Sequence, residues 1–109
     1  MARLSRGQIW TATYEGSRKP RPVLILSINA INDLCPDVLA IPITTKPGPL
    51  RVAFDHSESV TGLRKASYAK CETVGPLHKS RLKKKIGAVP LGELEPFENG
   101  VRRVLGLDH

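Results

Sequence analysis

The sequence predicts a mainly β fold: a small, half-closed antiparallel barrel of short strands completed by one C-terminal helix. Three observations carry this. Short apolar runs alternate with turn-rich segments, the one clear helical repeat lies at the end, and 109 residues with 40% hydrophobic content suit one domain across 1–109.

Residues Gln8 to Tyr14 alternate, with Ile9, Thr11 and Thr13 on one side and Trp10, Ala12 and Tyr14 on the other. These are good strand formers, and they predict a first strand. Glu15 to Pro20 is charged and turn-rich, and Pro22 to Ser27 is a continuous apolar run suited to a strand buried on both faces. The two strands make a hairpin with a basic loop. An Asn- and Asp-containing connection ends at Pro36, after which Val38 to Thr44 predicts a third strand. Pro42 inside it lacks a ladder N–H and calls for an edge or a bulge.

Leu50 to Phe54 predicts a fourth strand, Asp55 to Lys65 a polar loop, and Ser67 to Glu72 a further strand. Leu77 to Lys84 reads as a helical turn, Ile86 to Val89 as a last short strand, and Pro96 to Leu105 as a helix facing the core with Phe97, Val101, Val104 and Leu105. No internal repeat or linker is visible. No stretch reaches the roughly 20 apolar residues of a membrane helix, and Met1 to Gly7 has no signal-peptide core, so the cytoplasm is the expected compartment. The two cysteines, Cys35 and Cys71, lack CxxC spacing and are expected as reduced, packed thiols.

Seventeen Lys and Arg against ten Asp and Glu give a net charge of +7, which favours a polyanionic partner. Two Phe, two Tyr and one Trp are few for a protein that stacks bases on aromatic side chains. Arg21 stands between Pro20 and Pro22, whose restricted backbones present its guanidinium rigidly; such a group can grip a phosphate with two N–H donors, although on this feature alone a solvated loop cation is the favoured reading. Thr44 and Thr45 close the third strand with hydroxyls able to donate to phosphate. If Lys70-Cys71-Glu72 is strand, Lys70 and Glu72 share a face, with a gap that one phosphate could bridge, and Cys71 points into the core. An ordinary same-face salt bridge explains that pair equally well. His78, Lys79 and Arg81 with Lys83 to Lys85 form the densest basic stretch. His56, His78 and His109 are far apart, with no i,i+4 pair, so neither a metal nor another cofactor is expected.

Five blocks, taken in order, resemble one known family: Arg6-Gly7-Gln8-Ile9-Trp10, Arg21 through Leu26, Ile41-Pro42-Ile43-Thr44, Ser67 through Glu72, and Lys79-Ser80-Arg81-Leu82. Together they are similar to the MazF/PemK toxins over about Arg6 to Leu107. The resemblance implies an SH3-like barrel of the CcdB/PemK type, a homodimer, an acidic MazE-like antitoxin, and cleavage of single-stranded RNA by its own 2′-hydroxyl. It puts the most general active-site positions at Arg21 and Thr44. In plasmid-borne members an Arg-Cys-Asp stretch carries the acid and base, and Lys70-Cys71-Glu72 stands in its place. Glu72 is then the expected general base, and Lys70 assists the leaving oxygen. RNA contacts are expected from Arg18, Lys19, Ser27, Thr45 and Lys46, and from Thr73, His78, Lys79 and Arg81 farther along.

Two departures stand out. The first hairpin loop lacks the family's Gly-x-Glu-Gln pattern, and Thr73-Val74-Gly75-Pro76 replaces the common Gln-x-Arg-Thr. Two other functions remain compatible with the residues: a non-nucleolytic poison of a topoisomerase, as in CcdB proteins, and a non-catalytic nucleic-acid-binding barrel. The first works through a tryptophan-bearing C-terminal helix, whereas the only tryptophan here is Trp10 and the chain ends Gly106-Leu107-Asp108-His109.

Overall fold

A computed structural model describes residues 3–107, leaving Met1, Ala2, Asp108 and His109 outside the described residues. The elements are β1 (Gln8–Ala12), β2 (Arg21–Ile25), α1 (Asn29–Leu34), β3 (Asp37–Thr44), β4 (Val52–Ala53), α2 (Glu58–Thr61), β5 (Tyr68–Ala69), β6 (Gly75–His78), β7 (Leu82–Ala88) and α3 (Glu95–Val104). Single 3₁₀ turns cover Cys71–Thr73, Lys79–Arg81 and Leu91–Glu93. The strands pair antiparallel in the order β4-β5-β3-β2-β1-β7, with β6 also on β3. The resulting sheet is barrel-like. It stays open between β6 and β7, which no ladder joins among the described residues.

The apolar run of β2 is buried on both faces as expected: Val23, Leu24 and Ile25 are all fully enclosed. Alternation then sorts the core into two layers. Ile9, Leu24, Ile41 and Ile43 face Val89, Leu94 and Phe97, the last of these from α3. Ala12, Val23, Ile25, Val38, Ala40 and Leu77 form the opposite layer, with Trp10 and Tyr14 packed against it.

β3 is the hub, and it is not an edge strand. Pro42 lies opposite Val23 of β2, and its carbonyl accepts from the Lys70 backbone N–H at 2.8 Å on the other side. There β3 changes partner, from β6 along Asp37–Ala40 to β5 along Ile43–Thr44. The missing N–H falls at that handover and removes no ladder bond, so proline is tolerated without an edge or a bulge.

Several local expectations give way to pairing distant in sequence. The fourth strand shortens to Val52–Ala53, and short helices form in the segments expected as connection and loop, α1 before Pro36 and α2 within Asp55–Lys65. The strand expected through Glu72 ends at Ala69. Only Lys79–Arg81 of the expected helical turn is helical, because its flanks pair with β3 and β1 and thereby extend the last strand to Leu82–Ala88. Cys71 is buried and Cys35 exposed, so only one thiol is packed. In α3 Phe97 is buried, whereas Leu105, just beyond it, is 58% exposed.

Candidate phosphate-binding cleft

Arg21 begins β2 and Thr44 ends β3. The pairing of Val23 with Pro42, carried two residues farther, sets Arg21 opposite Thr44. Tyr68 of β5 pairs with Thr44 from the other side, and the chain continues into Lys70. Three strands thus bring residues from distant segments to one end of the sheet.

Arg21, Thr44 and Lys70 line an open cleft of about 590 Å³ with Tyr14, Pro22, Pro42, Ile43, Thr45, Lys46, Ser67 and Thr73. Its polar lining consists of three cations, Arg21, Lys46 and Lys70, and the hydroxyls of Tyr14, Thr44, Thr45, Ser67 and Thr73. Among the described residues no carboxylate or imidazole lines it. Thr44 Oγ1 accepts the Lys46 backbone N–H at 3.2 Å, which leaves the threonine O–H able to donate outward. Partial burial raises the Tyr14 phenol above its ordinary pKa and keeps it a neutral donor. The cleft can therefore accept a phosphodiester and stabilise additional negative charge on it.

Of the expected site residues, Arg21, Thr44, Thr45, Lys46, Lys70 and Thr73 meet here. Glu72 does not. It sits in a 3₁₀ turn, so the premise that it shares a strand face with Lys70 is overturned. Its Oε2 accepts from Arg51 Nε at 3.0 Å and Nη2 at 2.9 Å. Hydrogen bonding from Arg51, then its own backbone N–H and the charges of Arg51 and Lys70, hold the carboxyl below its ordinary pKa. A carboxylate so engaged is a weaker base than a free one.

Ser27 is also displaced from its expected role. It is buried, donating to Asn32 Oδ1 at 2.5 Å and accepting the Leu39 N–H at 3.0 Å, and it joins α1 to β3 rather than facing a ligand. Arg18 and Lys19 are exposed in the first hairpin loop, outside the cleft lining. His78 Nδ1 bonds Ser80, Arg81 closes the Lys79–Arg81 turn, and Lys79 borders a separate hollow of about 460 Å³ with Trp10, Leu82, Lys83 and the Arg3–Asp33 ion pair. Among the described residues no group of three or more His, Cys, Asp or Glu is arranged to hold a metal.

Tyr14, Ser67 and Arg51 are absent from the sequence-derived set. Tyr14 follows β1 on the hairpin that pairs Ala12 with Arg21, so the hairpin register was the available signal. Ser67 and Arg51 carry no local signal, since contacts with distant segments define their places.

A family model described as "PemK-like, MazF-like toxin of type II toxin-antitoxin system" matches residues 5–105. Among solved structures, the chain is similar to an endoribonuclease in complex with its cognate antitoxin from a mycobacterial species: 28% identity, 100% of this chain and 99% of that chain covered, TM-score 0.79. It is similar also to the Mycobacterium tuberculosis toxin MazF-mt6, at 25% identity with 94% and 99% of the two chains covered and a TM-score of 0.79. A MazE–MazF structure from Deinococcus radiodurans shares the fold, at 21% identity, 97% and 98% coverage and a TM-score of 0.76.

Proposed function

The chain belongs to the PemK-like, MazF-like toxins of type II toxin-antitoxin systems, and from that premise we propose that it is a metal-independent endoribonuclease that cuts single-stranded RNA within one toxin domain. The observation that supports this reading is the convergence of Arg21, Thr44 and Lys70 on one open, cation-lined cleft.

In the proposed reaction the ribose 2′-oxygen attacks the adjacent phosphorus in line, and its proton passes to water. The Arg21 guanidinium, always protonated, and the Thr44 hydroxyl stabilise the charge that gathers on the phosphorane oxygens. Lys70 gives a proton to the departing 5′-oxygen. The products are a 2′,3′-cyclic phosphate and a 5′-hydroxyl. Side-chain cations supply the electrostatic stabilisation that a divalent ion provides elsewhere. Glu72, the base expected from sequence, is bonded to Arg51 outside the cleft lining, and this favours assigning it a supporting role.

We further propose a homodimer, an acidic antitoxin that covers the basic cleft, and action in the cytoplasm, where such RNA and such an antitoxin occur. The mycobacterial relative solved with its cognate antitoxin supports the second of these.

The test is incubation of the purified protein with mixed RNA in excess EDTA, followed by sequencing of the product ends. Cleavage with cyclic-phosphate ends is the expected result, and replacing the ribose 2′-hydroxyl by hydrogen at the cut site should abolish it. Loss of cutting in chelator with recovery on added metal would overturn the metal-independent reading. Binding without cutting under every condition would leave a nucleic-acid-binding barrel.

A further inference from the structure

We propose that Arg51 is a positioning residue: a strut outside the cleft that ties together the two segments carrying Lys46 and Lys70 and so sets the spacing of the phosphate-gripping cations. This rests on the cleavage reading for its consequence but not for its geometry.

Arg51 ends the loop that follows β3. Its Nη1 donates to the Lys46 carbonyl at 2.9 Å, while Nε and Nη2 converge on Glu72 Oε2 at 3.0 and 2.9 Å. One guanidinium thus spans the loop bearing Thr45 and Lys46 and the turn bearing Lys70 and Thr73. Each segment is anchored to β3 independently. The Lys46 N–H reaches Thr44 Oγ1, and the Lys70 N–H reaches the Pro42 carbonyl. Beyond the pairing of β4 with β5, Arg51 adds a side-chain tie between them.

The loop is shaped to hold this side chain. Leu50 has a φ of 68°, a left-handed conformation that a leucine adopts only when its surroundings impose it. A Cβ at Gly48 would stand 3.3 Å from Arg51 Cδ and Nε, a tight contact, so the glycine leaves room for the Arg51 side chain beside the loop. Pro47 and Pro49 remove freedom from the remainder. Exposed ion pairs ordinarily contribute little. This one is still partly exposed, 18% at the Arg51 side chain and 32% at Glu72, but three Arg51 N–H groups are used in fixed directions, which gives it a geometric role. Its task also has a physical cause: the cleft is lined by like-charged side chains, and a strut that fixes the two segments bearing Lys46 and Lys70 resists their drifting apart. Lysine could keep the charge at 51 but not the planar fork that reaches both segments.

Arg51→Lys breaks the strut from one end and Glu72→Ala, which removes the acceptor oxygen, from the other. Amide hydrogen exchange at Lys46 and Lys70 should accelerate together in both variants, by about tenfold or more, while Leu24 in the core stays protected. In cleavage assays kcat should fall by about 10- to 100-fold, the scale associated with small misplacement of catalytic groups. Affinity for a strand with a 2′-deoxy group at the cut site should change by less than about threefold, since the cations themselves remain. The double variant should be no worse than the worse single one.

Unchanged exchange, or acceleration in one segment alone, overturns the strut whether or not the protein cuts RNA. If the wild type does not cut, the cleavage reading fails and exchange alone decides the geometry. If Arg51→Lys moves the acidic limb of the pH–rate profile to higher pH and Glu72→Gln abolishes that limb, Glu72 is the proton acceptor and the positioning account is wrong. Should Arg51→Lys fail to fold, Glu72→Ala gives the same reading by itself.

Discussion

Arg21 is held between two prolines opposite Thr44, and in the proposed cleavage its guanidinium meets phosphate in both the ground state and the transition state. Arg21→Ala should lower the single-turnover cleavage rate by about 10²- to 10³-fold, the range seen when one preorganised donor is removed. Arg21→Lys should recover only part of this, because an ammonium lacks the fork. Cutting by the alanine variant at the wild-type rate would remove Arg21 from the mechanism. Glu72 yields a different kind of expectation. Its carboxyl is held below the ordinary range chiefly by hydrogen bonding from Arg51. A carboxyl with a lower pKa folded than unfolded adds stability above its unfolded value, and that contribution disappears as pH falls through its folded value. The wild type should therefore exceed Glu72→Gln in urea midpoint at pH 7 and lose its margin as pH falls from the usual carboxylate range to more acid values. A margin independent of pH would show that the pair is not linked to folding.

At the scale of elements, α3 reaches the sheet through Gly100, where a Cβ would meet Cys71 Sγ at 2.6 Å and Val52 Cγ2 at 2.9 Å. Alanine favours a helix over glycine by about 1 kcal/mol, yet here its methyl group would push α3 off the turn that follows Lys70. The clash should prevail, since neither the short cysteine side chain nor the β-branched valine can swing away. Gly100→Ala should cost a net of about 1–3 kcal/mol, the usual range for overpacking, and lower Tm by several degrees in a thermal melt. A raised Tm would mean that helix propensity outweighs packing at this contact.

For the whole molecule, a net charge of +7 favours polyanions in general, but among the described residues only Arg21, Lys46 and Lys70 line the cleft as cations. If these three make the phosphate contacts, log Kd for a non-cleavable single strand should rise with log salt at a slope of about 2, roughly 0.7 for each phosphate neutralised. Fluorescence anisotropy across a salt series measures it. A much steeper slope would show that the Lys79–Lys85 stretch also carries RNA, and a flat one that the cleft does not bind phosphate. Lys79 lies at a separate hollow, and its substitution should leave the slope unchanged if the cleft acts alone.

The β1–β2 hairpin, the doubly buried β2, the eight-residue β3 and the closing helix were readable from the sequence, because each is declared by its own periodicity and turn residues. Arg21 was readable for the same reason, as its flanking prolines are its neighbours in the chain. Glu72 was not. Its neighbours suggest a strand, but the strand ends at Ala69, and the turn that follows Lys70 delivers the carboxylate to Arg51, 21 residues away in sequence. Ser27 likewise passes for a free hydroxyl until α1 and β3 bury it. Alternation and propensity encode what each segment tends to form. Which side chains meet depends on register, partner changes and close backbone approach, and those were decided only when distant segments competed for the same hydrogen bonds and the same space.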